Sequence, residues 1–125
     1  MSNGLGWRRA KGYAVGQYSL GLMYNNGRGV PRDDAEAARW YRLAADQGLT
    51  EAQYNLGLLY VTGRGVSRND VTAYMWFDLV ALRSTGAIRD NGIHYRDLVA
   101  QRMTAIQIAD TQRLALEWNA AHPRN

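Results

Sequence analysis

Cysteine is absent from the 125 residues, which excludes a disulfide framework and any thiolate metal site. Lysine is almost absent: of fifteen basic residues only Lys11 is Lys and the rest are Arg. Long apolar runs are missing too. The longest, Ala73–Phe77, has five residues, whereas a membrane-spanning helix needs about 20, so no membrane span is expected. Residues 1–6, Met1-Ser2-Asn3-Gly4-Leu5-Gly6, lack the apolar centre of an export signal. The compartment stays open between the cytoplasm and an exported site reached with a signal since removed. Catalytic patterns are scarce. Of the four serines, Ser2, Ser19, Ser67 and Ser84, none begins a Ser-x-x-Lys motif. His94 and His122 lie 28 residues apart, without metal-ligand spacing. No cofactor and no metal are expected.

What is present suffices for a folded domain. Hydrophobic residues make up 46% of the chain, enough to bury a core. The formal charge of +4 and the Arg bias raise nucleic-acid binding as a reading. The Arg residues are scattered among Asp and Glu, the pattern of a solvated surface, which argues against that reading. Gly27-Arg28-Gly29 is no phosphate loop, because the later Gly-Lys-Ser/Thr is missing and the segment follows a helix pattern rather than a strand.

One stretch organises the rest. Gln17-Tyr18-Ser19-Leu20-Gly21-Leu22-Met23-Tyr24-Asn25-Asn26-Gly27-Arg28-Gly29-Val30 returns as Gln53-Tyr54-Asn55-Leu56-Gly57-Leu58-Leu59-Tyr60-Val61-Thr62-Gly63-Arg64-Gly65-Val66, 36 residues later. Residues 12–47 and 48–83 share 17 of 36 positions without a gap. They are tandem units, and 84–125 reads as a divergent unit with a terminal capping helix, all in one domain.

Each unit reads as two helices. The spacing predicts helices over 13–25, 34–46, 50–61 and 70–82. Gly27 and Gly29 let the chain turn, and Pro31 forbids helix continuation. Asp33 or Asp34 is expected to cap the first unit's second helix and Asn69 the second unit's, and Asp33-x-x-Glu36 resembles a capping box. That explains the carboxylates at 33, 34 and 36 better than an acid/base or metal site does. Ala37, Trp40, Tyr41 and Ala44 form one apolar stripe, repeated as Ala73, Trp76, Phe77 and Val80. Gly21 and Gly57 lower helix propensity, so a close approach by the facing helix is expected there. Gly48 is expected to end the second helix, and Gly12 to end an earlier one formed by Trp7–Lys11. Ser84–Asn91, with its Asp-Asn-Gly signal, reads as a loop. A helix is expected from His94 to Met103, then a last one over 105–121 capped by Thr104. Its inner face is expected to hold Ala105, Ile108, Ala109, Ala115 and Leu116, with Gln101, Arg102, Gln107, Asp110, Arg113 and Glu117 outward.

The spaced pattern Leu20-Gly21, Tyr24, Gly27, Gly29-Val30, Asp34, Ala37, Trp40, Ala44-Ala45, Gly48 and Ala52, matched by Leu56-Gly57, Tyr60, Gly63, Gly65-Val66, Asp70, Ala73, Trp76 and Ala81, resembles the Sel1-like repeat. That family is a variant of the tetratricopeptide repeat with a longer turn. The resemblance implies an all-α fold, a right-handed α-α superhelix of antiparallel helix pairs with about six helices. It also implies a non-enzymatic adaptor that binds a protein or peptide. A β-lactam- or peptidoglycan-directed enzyme is the alternative it carries. In such solenoids the first helix of each pair lines the concave surface. The register then assigns partner binding to Val15, Tyr18, Leu22 and Asn25 in the first unit and to Glu51, Tyr54, Leu58 and Val61 in the second, with Tyr beside Tyr and Leu beside Leu. The missing first half-unit leaves Trp7, Tyr13 and Val15 uncovered, a surface that self-association would bury.

Overall fold

A computed structural model describes residues 4–123, with side chains from residue 11 onward. The described residues form six helices and no strand: α1 (Gly4–Asn26), α2 (Asp34–Asp46), α3 (Thr50–Thr62), α4 (Asp70–Arg83), α5 (Gly86–Ala100) and α6 (Ala105–Ala121). Each helix from α1 to α4 packs on the next, and α6 packs on α4. This is the all-α solenoid of helix pairs that the repeat predicts. None of the described helices is long and apolar enough to cross a membrane.

The two turns between paired helices are built alike. Gly27 and Gly63 adopt φ of +67° and +69°, a left-handed conformation that only glycine takes without cost. Arg28 N then donates to Met23 O at 3.0 Å, and Arg64 N to Leu59 O at 3.1 Å. The far side of each turn closes when Asp33 N donates to Tyr24 O at 2.9 Å and Asn69 N to Tyr60 O at 3.0 Å. The same two residues cap the next helices: Asp33 Oδ1 accepts from Glu36 N at 3.1 Å, and Asn69 Oδ1 from Thr72 N at 3.0 Å. Such caps contribute about 1 kcal/mol each.

Between the helices of a pair, small meets large. Tyr41 and Phe77 are fully buried and lie against Gly21 and Gly57, where a side chain is missing. A Cβ on Gly21 would stand 2.5 Å from Tyr41 Cδ1, and one on Gly57 would stand 2.7 Å from Phe77 Cε1. Ala37, Ala44 and Ala73 are wholly buried beside them, which brings the helix backbones together and lets the aromatic rings fill the gap.

Four expectations change. α1 runs without a break through Gly12 to Gly4, so Trp7–Lys11 do not close a separate helix. Gly48 does end α2, at φ +95°, and its neighbour Leu49 is only 7% exposed as a plug. The residue after Gly12, Tyr13, is 71% exposed and plugs nothing, so nothing drives a reversal there. The side chain of Trp7 lies outside the described residues. Second, Ser84–Asn91 is not a loop: α5 already starts at Gly86, where φ is +70°. Gly92 is a packing glycine rather than a turn glycine, since a Cβ there would stand 2.7 Å from Val80 Cγ1. Third, α5 ends at Ala100, and Arg102 N and Met103 N close a tight turn onto Val99 O and Ala100 O. Fourth, α6 turns a different face inward. Thr111 and Ala115 are buried, with Ile108 and Trp118 half-buried, while Ala105, Ala109 and Leu116 are exposed. Thr111 hides its hydroxyl by donating to Gln107 O at 2.6 Å, which lets a polar residue occupy the packed face. Thr104 caps α6 as expected, and the cap is a full capping box with Gln107.

Candidate functional site

The eight residues assigned to the partner face sit on α1 and α3 in a graded range of exposure. Val15 is 45% exposed and Glu51 is exposed, its carboxylate accepting from Thr50 Oγ1 at 2.9 Å. The other six are half-buried. Leu22 packs at the edge of the core cluster that holds Tyr41 and Leu56, whereas Leu58 and Val61 pack at the edge of the cluster around Phe77 and Val99.

The two tyrosines are anchored by neighbouring rings. The Tyr18 ring lies 5.8 Å from that of Tyr41, and the Tyr54 ring lies 5.9 Å from Phe77 and 6.1 Å from Tyr95. Each therefore packs on the second helix of its own unit. Burial pushes both phenols above their ordinary value, and pushes the enclosed Tyr41 up to about 12. Tyr18 Oη accepts from Asn55 Nδ2 at 3.4 Å, a bond between units.

Two of the assigned residues meet in one depression. Asn25 from the first unit and Leu58 from the second line a hollow of about 220 Å³, together with Asn55, Leu59, Thr62 and Arg64. Its apolar lining is Leu58 and Leu59. Its polar rim carries amides and a guanidinium that present both donors and acceptors. Asn25 is held in place, because its Nδ2 donates to Asp34 Oδ1 at 3.2 Å and its Oδ1 accepts from Tyr41 Oη at 3.5 Å. Val15, Tyr18, Leu22, Glu51, Tyr54 and Val61 are outside this lining. Sequence reasoning misses Asn55, Thr62 and Arg64. The hollow straddles two units, so its members do not share a repeat position and the 36-residue register does not point to them.

The Asp34 carboxylate beneath the rim joins three groups. Arg32 Nη2 lies 3.1 Å from Asp34 Oδ2, and Arg64 Nε reaches the same oxygen at 3.4 Å. Arg32, then Arg64 and Asn25, hold the carboxyl below its usual value against the opposing effect of burial. Asp70 repeats the arrangement with Arg68 at 3.4 Å and Arg102 at 2.9 Å, and Arg102 is the main cause of its lowered value. Arg102, expected to point outward, thus grips the preceding unit.

A second, larger hollow of about 400 Å³ is lined by Leu82, Arg83, Ser84, Thr85, Asn119 and Pro123. Its central Arg83 is occupied with holding α6: Nη1 donates to Asn119 Oδ1 at 2.7 Å and to His122 O at 2.8 Å, and the guanidinium stands 5.1 Å from the Trp118 ring. The remaining chemistry is structural. His122 stacks on Trp118 at 3.7 Å, and His94 packs edge-on against Tyr95. Among the described residues no group of three or more His, Asp or Glu is placed to hold a metal ion. Arg39, Arg42, Arg96 and Arg113 also have carboxylate partners, so much of the Arg excess is spent on intramolecular pairs.

Helix pairs repeated at 36 residues, joined by Gly-x-Gly turns and clamped unit to unit by Arg–Asp contacts, define an α-α repeat solenoid. Comparison with known proteins gives the family: the Sel1 repeat model matches residues 14–49 and 50–83, and the chain belongs to the Sel1 repeat family. A protective antigen of uropathogenic Escherichia coli with an SLR fold is 36% identical over 90% of this chain, with a TM-score of 0.76. A Sel1 repeat protein from Oxalobacter formigenes is 28% identical over 78% of it, with a TM-score of 0.55. The chain spans 24% of the first protein's length and 46% of the second's. No curated protein matches it. Sel1 repeat proteins are generally protein-interaction modules and non-enzymatic scaffolds.

Proposed function

We propose that this chain is an interaction module that binds a peptide or protein segment along the face carried by α1 and α3. The observation that carries the reading is the hollow in which Asn25 of one unit and Leu58 of the next come together with Asn55, Thr62 and Arg64. An apolar lining beside fixed amides suits a backbone of either helical or extended form, because the amides can pair with peptide N–H and C=O groups while the apolar lining accepts one side chain. Tyr18 and Tyr54, already held by neighbouring rings, lose little freedom on binding, and Tyr18 is bonded to Asn55 of the hollow's lining. Val15 and Glu51 extend the contact toward the start of each helix.

A peptide-display selection against the folded chain tests this. Selected peptides are expected to lose at least about tenfold in affinity with Leu58→Asp or with the pair Val15→Arg and Glu51→Arg. Leu116→Arg on the exposed side of α6 should leave them unaffected. Equal losses from Leu116→Arg would remove the assignment to α1 and α3.

A further inference from the structure

The two repeat units are an internal control for each other, because the same Gly-Arg-Gly-Val turn occurs in both and only the second has a helix start against it. In the second unit the turn Gly63-Arg64-Gly65-Val66 lies against the start of α2. Arg64 Nε is 3.4 Å from Asp34 Oδ2, and Gly65 is so close that an added Cβ would run into the backbone of Asp34 and Ala35. Leu49 and Leu56, on the same side, are 7% and 1% exposed. In the first unit the matching residues meet no such helix start among the described residues. Among the described residues Arg28 has no ion pair, and a Cβ on Gly29 would touch only Met23 Cε, at 3.6 Å. Tyr13, the counterpart of Leu49, is 71% exposed, and Leu20, the counterpart of Leu56, is half-buried.

We propose that this end of the first unit, formed by Tyr13, Leu20, Arg28 and Gly29, is a second docking surface. It takes the start of a helix on a separate polypeptide, one with Asp as its first residue after an Asp or Asn cap and an apolar stripe behind it. The chemistry of the occupant is copied from α2, which fills the same place one unit on. Arg28 pairs with the incoming carboxylate. Gly29 admits its backbone without a clash, and Leu20 and Tyr13 are covered by its stripe. Residues 4–12 do not supply the occupant, because α1 continues through Gly12 and does not reverse there to join a helix in that place. The occupant is not a second copy of this chain. Asp34 and Asp70 are already held by Arg64 and Arg102, and α6, which would be the next in line, begins with Ala105 in place of the aspartate.

The probe is a peptide of residues 33–49 of this chain, held helical by a staple between positions 35 and 39, both on the exposed side of α2. Its helicity is checked by circular dichroism, and its binding to the full chain is read by fluorescence anisotropy. Saturable binding is expected, with backbone amide NMR shifts at Arg28 and Gly29. Arg28→Asp in the protein should weaken it at least about tenfold, and Asp34→Arg in the peptide should restore it to the Arg28→Asp protein. Arg113→Asp should change nothing. Absence of binding by the helical peptide at millimolar concentration, or binding that ignores the charge swap, overturns the proposal. So does a dimer of the chain alone that Arg28→Asp dissolves, since the occupant would then be a second copy.

Discussion

Arg64 reaches back across a unit boundary to Asp34, with Nε 3.4 Å from Oδ2, and Arg102 does the same to Asp70 one unit further on, at 2.9 and 3.0 Å. The Asp is the first residue of each second helix, where the helix dipole also favours negative charge. The later two turns therefore carry a cation to the helix start of the unit before them, and the contact spans the boundary between units.

The acid dependence of stability follows from these pairs. Both carboxyls lie below the ordinary aspartate value, Asp34 mainly through Arg32 and Asp70 mainly through Arg102. A depressed folded-state pKa stabilises above the unfolded value of about 4, and the contribution is lost as the pH falls through the folded value. Asp34→Asn and Asp70→Asn should therefore lower the urea midpoint at pH 7, and the gap from the parent chain should close as the pH falls from about 4 toward 2. A gap that stays constant with pH would show that the charges contribute nothing.

Glycines of one helix should respond in opposite directions. Gly16 has nothing within 4 Å of an added Cβ, whereas Gly21 would meet the buried Tyr41 ring at 2.5 Å. Gly16→Ala is expected to stabilise by about 0.5–1 kcal/mol through helix propensity. Gly21→Ala should destabilise by about 1–3 kcal/mol because overpacking outweighs that gain. Equilibrium urea unfolding measures both.

The paired turn glycines give a sharper contrast. Gly29 and Gly65 have similar φ of +76° and +73°, so alanine costs about 1–2 kcal/mol at either from backbone strain alone. Only Gly65 also lies against the Asp34 backbone. Gly65→Ala should cost clearly more than Gly29→Ala, and equal losses would mean that the units are not packed as described.

The last helix depends on one buried cation. Arg83 is 9% exposed and ties Asn119 and His122 to α4. Arg83→Leu should raise hydrogen exchange across residues 115–122 by at least about tenfold while leaving α1–α3 unchanged, since removing it leaves those acceptors unpaired. Uniform protection along the chain would contradict this.

What could be read from the residues was whatever repeats or is local. Asp33, Asn69 and Thr104 announce helix starts through their side chains alone. Gly21 and Gly57 announce a close approach because both units keep a helix-weakening residue at the same repeat position. Gly12 and Gly92 misled for one reason: a glycine shows its conformation only through its neighbours. Gly12 stays helical because Tyr13 has nothing to plug, and Gly92 because Val80 lies against it. The bond from Arg102 to Asp70 joins residues 32 apart in a region where the repeat has faded, so no periodicity marks it. The hollow was half legible. Asn25 and Leu58 follow from the register of the first helices, but Asn55, Thr62 and Arg64 become neighbours of Asn25 only once the units stack.

The most direct test of the interaction role is the footprint of a display-selected peptide on the isotope-labelled chain. The account predicts shifts of the Asn25 and Asn55 side-chain amides and of the Leu58 methyls, with the Trp118 indole unmoved. Shifts centred on Trp118 and α6, with those of Asn25, Asn55 and Leu58 unchanged, would contradict it.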